Sequence, residues 1–275
     1  AAEETIMTGS HAKRWVTGIV AVPILFAVIY FGTEGLFAGF ILLVTAVAVL
    51  EYNRLVYGET GVSLQRALLG FGLLAPLAAA LGGPAALLAV SVVSTLAVFI
   101  LYLLEARDGV LDLNPLARYA LGYLYLPLML SHFILLRGGD RGVLWIFFVI
   151  VLAFSGDIAA FYAGRTFGKR KLMPHVSPGK TVEGLLGLAA GSVAGCLVYR
   201  HFLLPEVPAG HIALIALAGG VIGQLGDLFE SLIKRASGAK DSGTILPGHG
   251  GILDRLDCLL FIVPWVYYYR TYVLS

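Results

Sequence analysis

The sequence predicts an all-α, polytopic integral membrane protein with about nine transmembrane helices, and three observations point that way. Hydrophobic residues make up 59% of the 275-residue chain and charged residues 13%, against roughly 25% charged in a soluble domain. The apolar residues fall in long runs close to the roughly 20 residues a helix needs to cross a bilayer. These runs do not alternate as barrel strands do, and an open sheet edge cannot sit in lipid.

The runs are Trp15–Gly32, Gly35–Leu50, Ala67–Leu81, Pro84–Leu104, Ala117–Leu136, Val143–Gly164, Leu185–Leu204, Ile212–Ile233 and Leu256–Tyr272. Thr33-Glu34 and Gly82-Gly83 are tight connections, so the first four runs read as two hairpins. With the N-terminus in the cytosol, every Lys and Arg except Arg137, Arg141, Arg200 and Arg270 falls on the cytosolic side. The positive-inside rule then favours an N-in, C-out arrangement. Residues 1–12 are polar, include Gly9-Ser10-His11, and read as an expression scar or disordered terminus; no cleavable signal peptide is evident. Cys196 and Cys258 lie inside apolar runs and read as small buried hydrophobes, without zinc or disulfide spacing. Composition shifts near residue 154. Residues 13–153 hold plain Leu/Val/Ala spans, read as a packing or dimerisation half. Residues 154–275 carry polar groups within the spans, read as a catalytic half of the same membrane domain. Nothing in the charge pattern calls for nucleic acid.

Ser231 to Asp257 is the stretch that a lipid-facing helix has no use for, because charge in hydrocarbon costs several kcal/mol. It interleaves Lys234, Arg235, Lys240 and Arg255 with Asp241, Asp254 and Asp257, and adds His249 in a Gly-His-Gly-Gly run. Asp254 and Asp257 stand three apart at a helix start and share a face. Paired carboxylates suit a hard cation, and the surrounding Lys and Arg suit phosphate. For His249, a plain turn residue holding the loop is an equal reading.

Two further clusters complete the pattern. Asp157 lies in the sixth run, followed by Arg165, Phe167-Gly168-Lys169, Lys171 and Ser177-Pro178-Gly179-Lys180-Thr181-Val182-Glu183. A P-loop reading of Gly179-Lys180-Thr181 fails, since Pro174 stands where glycine is required and no strand is expected before it. Lys180 with the Ser177 and Thr181 hydroxyls suits phosphate at a helix start; the plainer alternative is Thr181 as a helix cap. Arg165 and Lys169 to Lys171 alone fit an orientation signal or an anionic-lipid contact. Asp227, in the eighth run, is a functional candidate by depth, with Glu230, Ser231 and Lys234 on the same helix face. Its bland alternative is a structural ion pair with Lys234 or a neighbouring helix. Gly219, Gly220, Gly223 and Gly226 would let another helix come close. Glu51 and Arg54 read as an interfacial pair.

The run Ser231, Ile233-Lys234-Arg235, Lys240-Asp241, Gly243, Leu246-Pro247, His249-Gly250-Gly251-Ile252 and Asp254-Arg255-Leu256-Asp257 resembles the signature of the phosphatidate cytidylyltransferases, also called CDP-diacylglycerol synthases. Asp157, Phe167-Gly168-Lys169 and Ser177-Pro178-Gly179-Lys180-Thr181 resemble further elements of that family. Phe161, beside Tyr162, departs from a tyrosine that many members carry there. The resemblance covers about the last 120 residues. It implies that CTP and phosphatidic acid give CDP-diacylglycerol and pyrophosphate at the cytosolic side of a bacterial inner membrane. It implies Asp227, Asp254 and Asp257 as ligands of Mg²⁺, with room for a second cation. Lys234, Arg235, Lys240 and Arg255 would hold phosphates, with Ser177, Lys180, Thr181, Ser231, Asp241, His249, Gly250 and Gly251 around the substrates and Asp157, Glu183 and Glu230 as additional candidates. On this reading Asp157, Asp227, Asp254 and Asp257 converge on one cytosolic-side pocket. A CTP-dependent polyprenol or phytol-type kinase is the alternative enzyme, and a cation-coupled transporter the alternative from another class. A CDP-alcohol phosphotransferase is disfavoured, because no Asp-Gly-x-x-Ala-Arg run is present.

Overall fold

The computed structural model describes residues 19, 21–105, 112–243, 245 and 250–274. The expected N-terminal scar and His249 lie outside the described residues. The chain divides into two units, Ala1–Leu135 with Ser237–Arg255, and Leu136–Ala236 with Leu256–Ser275.

The first unit starts with helix α1 (Ala21–Tyr30). Helix α2 (Glu34–Val56) follows at once: Thr33 adopts extended backbone and its hydroxyl accepts from Leu36 N at 3.2 Å, satisfying one of the free N–H groups of a helix start. Helix α3 (Val62–Glu105) is 44 residues long, but Gly83 leaves helical geometry at φ 66°, ψ −155°. This break falls at the expected Gly82-Gly83 connection. Without it the helix would measure about 66 Å, roughly twice the hydrocarbon thickness. Helix α4 (Asn114–Tyr123) passes through a π-helical turn, Leu124–Leu128, into α5 (Met129–Arg137). Pro127 accounts for the wide turn, because it offers no N–H and its ring would strike the carbonyl one turn back. The Tyr52 hydroxyl donates to Arg118 O at 2.8 Å and that of Tyr57 to Pro115 O at 2.9 Å, fixing α4 against the end of α2.

The second unit contains α6 (Gly142–Phe167), a hairpin of β1 (Lys171–Met173) and β2 (Ser177–Thr181), then α7 (Val182–Leu203), α8 (Ala209–Ala236) and α9 (Leu253–Val273), which opens in the first unit. The hairpin corrects the expectation that no strand precedes Gly179. β1 pairs with β2 antiparallel, with Lys171 opposite Thr181 and Met173 opposite Ser177. The polar run around Pro174-His175 supplies a turn, and strands this short need no membrane burial. The P-loop remains excluded, because its glycine is absent.

Close packing in this unit rests on small residues. Gly187 and Gly191 of α7 lie against Ala159 and Ala163 of α6, and Gly195 against Ser155, leaving no room for a Cβ. Helices α8 and α9 meet the same way: a Cβ at Gly223 would stand 2.7 Å from Ile262 Cδ1, and one at Gly226 2.6 Å from the Asp257 carbonyl oxygen. The glycine spacing in the eighth run foretold this approach.

Among the described residues, six helices are long and apolar enough to cross a membrane: α2, α3, Asn114–Arg137, α6, α7 and α8. The protein is thus a polytopic, helical integral membrane protein. Helix α1 is shorter, and α9 carries Asp254, Arg255 and Asp257 in its first turns.

Candidate functional site

Each unit holds part of the predicted polar set. In the second unit, glycine packing brings Asp227 of α8 beside the start of α9, where Asp257 sits. Asp227 pairs with the ammonium of Lys180 on β2, whose side chain is only 18% exposed. Asp157 of α6 interacts electrostatically with both Asp227 and Lys180, and Asp257 with all three. A small cavity of mixed lining lies beside them, formed by Asp157, Ser192, Gln224, Asp227 and Cys258 together with apolar side chains such as Leu152 and Ile262. The Asp257 carboxylate also accepts from Cys258 N at 2.8 Å.

Three carboxylates around one ammonium leave surplus negative charge, and the donors are all oxygens, which suits a hard divalent cation. Among the described residues no three acidic, His or Cys side chains stand close enough to enclose one ion. Asp227 and Asp257, with Asp157 beside them, are the oxygen donors in this unit that could contribute to holding such a cation.

The neighbours of this group are committed to the framework. Thr181 caps α7, its hydroxyl accepting from Gly184 N at 3.0 Å. Glu183 reaches back to accept from Lys169 N at 3.0 Å and Arg170 N at 3.2 Å, anchoring the strand that leaves α6. Glu230, 2% exposed, pairs with Lys234 one turn on at 2.5 Å. The ion pair of Asp227 differs from both expected pairings: its partner Lys180 stands on a strand rather than on a neighbouring helix, and Lys234 pairs with Glu230. The Arg235 guanidinium lies 3.4 Å from Val176 O in the hairpin turn. Ser177, at the strand end opposite Met173, and Ser231, on α8, are half-buried.

In the first unit the signature loop runs from Ser237 to Arg255. Lys240, Asp241 and Arg255 are exposed and can meet a solvated ligand. Asp254 is turned inward: its Oδ2 accepts from Ser242 Oγ at 2.9 Å, Ser242 N at 3.2 Å and Gly251 N at 2.9 Å. Gly250 takes φ 82°, which favours glycine, and a Cβ there would stand 2.7 Å from Asp254 Oδ2.

Glu51 corrects the sequence reading. It does not act as an interfacial partner of Arg54, which is exposed. Glu51 is 1% exposed, and its carboxylate accepts from Ile252 N at 3.0 Å and Leu253 N at 3.1 Å, with Ser242 Oγ at 3.4 Å. The available signal was at the other end of the contact: α9 is preceded by Gly250-Gly251-Ile252, none of which has a side chain that can cap a helix.

Sequence comparison places the chain among known proteins. It is 42% identical over 149 residues to phosphatidate cytidylyltransferase of Bacillus subtilis (strain 168), covering 54% of this chain and 55% of that protein. It is 40% identical over 138 residues to the Haemophilus influenzae (strain ATCC 51907) protein of that name, covering 49% and 48%. Against the Brucella suis biovar 1 protein, also so named, the figures are 43% over 150 residues, 54% and 55%. The chain spans about half the length of the curated relatives it matches. The model of the cytidylyltransferase family matches residues 12–273, and with nearly its whole length covered the chain belongs to that family.

Proposed function

We propose that the protein is a phosphatidate cytidylyltransferase that joins CTP and phosphatidic acid into CDP-diacylglycerol and pyrophosphate. The observation that carries this reading is the group of Asp157, Asp227 and Asp257 around Lys180 beside a small cavity in otherwise apolar helices. The family membership and the names of the relatives support it.

A phosphate oxygen of the lipid attacks the α-phosphorus of CTP in line; the new P–O bond forms as the bond to the β-phosphate oxygen breaks, and pyrophosphate leaves. No strong base is required, since the attacking phosphate is already ionised. Catalysis is then mostly positioning and charge neutralisation. A Mg²⁺ held by Asp227 and Asp257 would supply Lewis-acid stabilisation of the phosphate oxygens. Lys180 can follow the incoming negative charge from Asp227 to a phosphate, and Lys240 and Arg255 can bind phosphate from the signature loop. Asp254, the third carboxylate of the expected ligand set, holds the loop through Oδ2 and would bring Oδ1 to the same cation.

The proposal includes about nine spans, N-in and C-out, in the inner membrane, with residues 165–180 and 234–255 in the cytosol. The asymmetry of Lys and Arg supports this orientation. Purified protein given phosphatidic acid, Mg²⁺ and α-³²P-labelled CTP should yield a labelled CDP-lipid and unlabelled pyrophosphate. With a polyprenol supplied as well, an unlabelled phosphorylated alcohol with labelled CDP would instead identify a lipid kinase, and no lipid product at all would overturn the reading.

A further inference from the structure

Glu51 of α2 holds the backbone of the signature loop from about 200 residues away in sequence. A helix start leaves its first N–H groups without partners, and a side-chain oxygen of the preceding residue usually takes one of them. Helix α9 is preceded by Ile252, which has no such oxygen. Instead, Oε1 of Glu51 accepts from Ile252 N and Oε2 from Leu253 N, at 3.0 and 3.1 Å. Asp254 takes the next N–H back, that of Gly251. The two carboxylates thus share consecutive backbone donors, with the Ser242 hydroxyl beside both.

The fit is tight on the loop side. A Cβ on Gly243 would stand 2.7 Å from Glu51 Oε1, and one on Gly251 would stand 2.6 Å from Oε2 and collide with Ser242 Oγ. Two glycines of the signature are therefore small because Glu51 occupies the space. A buried carboxylate is costly unless its oxygens are well bonded, and charge-assisted bonds to backbone N–H groups are among the stronger compensations. The same N–H groups would otherwise invite a phosphate; with Glu51 present they are satisfied within the protein.

We propose that Glu51 is a positioning residue: its carboxylate replaces the missing cap of α9 and fixes the backbone that carries Asp254 and Arg255 for the reaction. This rests on the cytidylyltransferase reading for its effect on turnover, but not for its effect on the loop.

Glu51→Gln is nearly isosteric, yet its amide nitrogen faces one of the two N–H donors and cannot accept from it. In hydrogen–deuterium exchange on the full-length protein in detergent, the amides of residues 251–253 should exchange about tenfold faster or more in this variant. Helices α6 and α7 should keep wild-type protection and the melting temperature should stay close to wild type. Turnover with CTP and phosphatidic acid should fall about tenfold or more, the size of one lost charge-assisted hydrogen bond, with KM for CTP little changed. Unchanged exchange at 251–253, or released exchange with wild-type kcat, would overturn the proposal. If Glu51→Gln does not accumulate, Gly243→Ala pushes against the same carboxylate and is read by the same two measurements. A wild-type protein that forms no CDP-lipid would refute the proposed function, while amide exchange would still decide whether Glu51 holds the loop.

Discussion

The ammonium of Lys180 pairs with the carboxylate of Asp227, tying the hairpin strand β2 to helix α8. The pairing places a cation from the protein inside a group of three carboxylates. Lys180 therefore has two candidate duties, balancing Asp227 before substrate arrives and meeting phosphate afterwards.

Lys180→Met separates these duties. Removing the ammonium leaves the carboxylates with more negative charge, so Mn²⁺ binding measured by electron paramagnetic resonance should be as tight as in wild type or tighter. Turnover should nonetheless fall about tenfold to a hundredfold, because a charge-assisted bond to phosphate is worth about 1.5–3 kcal/mol. Weakened Mn²⁺ binding together with wild-type turnover would show that Lys180 serves neither purpose.

Gly226→Ala tests the packing that sets the site. The new Cβ would press on the backbone oxygen of Asp257, which cannot swing aside as a side chain can, so α8 and α9 must part. Overpacking of this kind costs about 1–3 kcal/mol, and the melting temperature in detergent should drop by several degrees. Gly39→Ala is the control, because nothing lies within 4 Å of its Cβ position. It should leave melting unchanged or slightly higher, as alanine favours a helix over glycine. Equal effects of the two substitutions would remove the proposed tight contact.

Much of this was legible in the sequence because it is local. The apolar runs, the glycine spacing of α8 and the break at Gly82-Gly83 are each written in a few adjacent residues. Thr181 as a cap was likewise readable from its place before an apolar run. Glu51 was not, because its partners Ile252 and Leu253 lie 201 and 202 residues on, and near Arg54 a surface pair was the plainer reading. The β1–β2 hairpin was missed for another reason: its strands are three and five residues long, and Ser177-Pro178-Gly179 has the composition of a loop. The partner of Lys234 was ambiguous because Asp227 and Glu230 share one helix face, and only packing chose Glu230, which is buried.

Topology gives a third expectation. In a background with Cys196 and Cys258 replaced by serine, single cysteines at Lys171 and Lys240 should react with a membrane-impermeant maleimide only from the cytosolic side of sealed vesicles. A cysteine at Glu206, in the α7–α8 connection, should react only from the other side, because one span separates it from Thr181. The basic charge of residues 165–180 and 234–255 motivates the assignment. Labelling of Lys240→Cys from the non-cytosolic side would reverse the orientation and place the signature loop away from the nucleotide.

The final expectation concerns the carboxylates themselves. Asp227 and Asp257 are brought near each other by Gly226, and both interact with Lys180 and Asp157. Asp→Asn keeps the size of the side chain and removes one charge, so it weakens attraction for a divalent cation without opening a cavity. Asp227→Asn and Asp257→Asn should each weaken Mn²⁺ binding about tenfold or more and nearly abolish turnover, with the protein still folded in the membrane. Asp157→Asn, beside the pair, should weaken binding less. Asp254→Asn should act on two counts. Its Oδ2 holds Ser242 and Gly251, so the loop amides should exchange faster while Mn²⁺ binding also weakens. If Asp254→Asn instead frees the loop amides and leaves Mn²⁺ affinity unchanged, Asp254 is a loop anchor alone, and the division of labour among these four carboxylates must be redrawn.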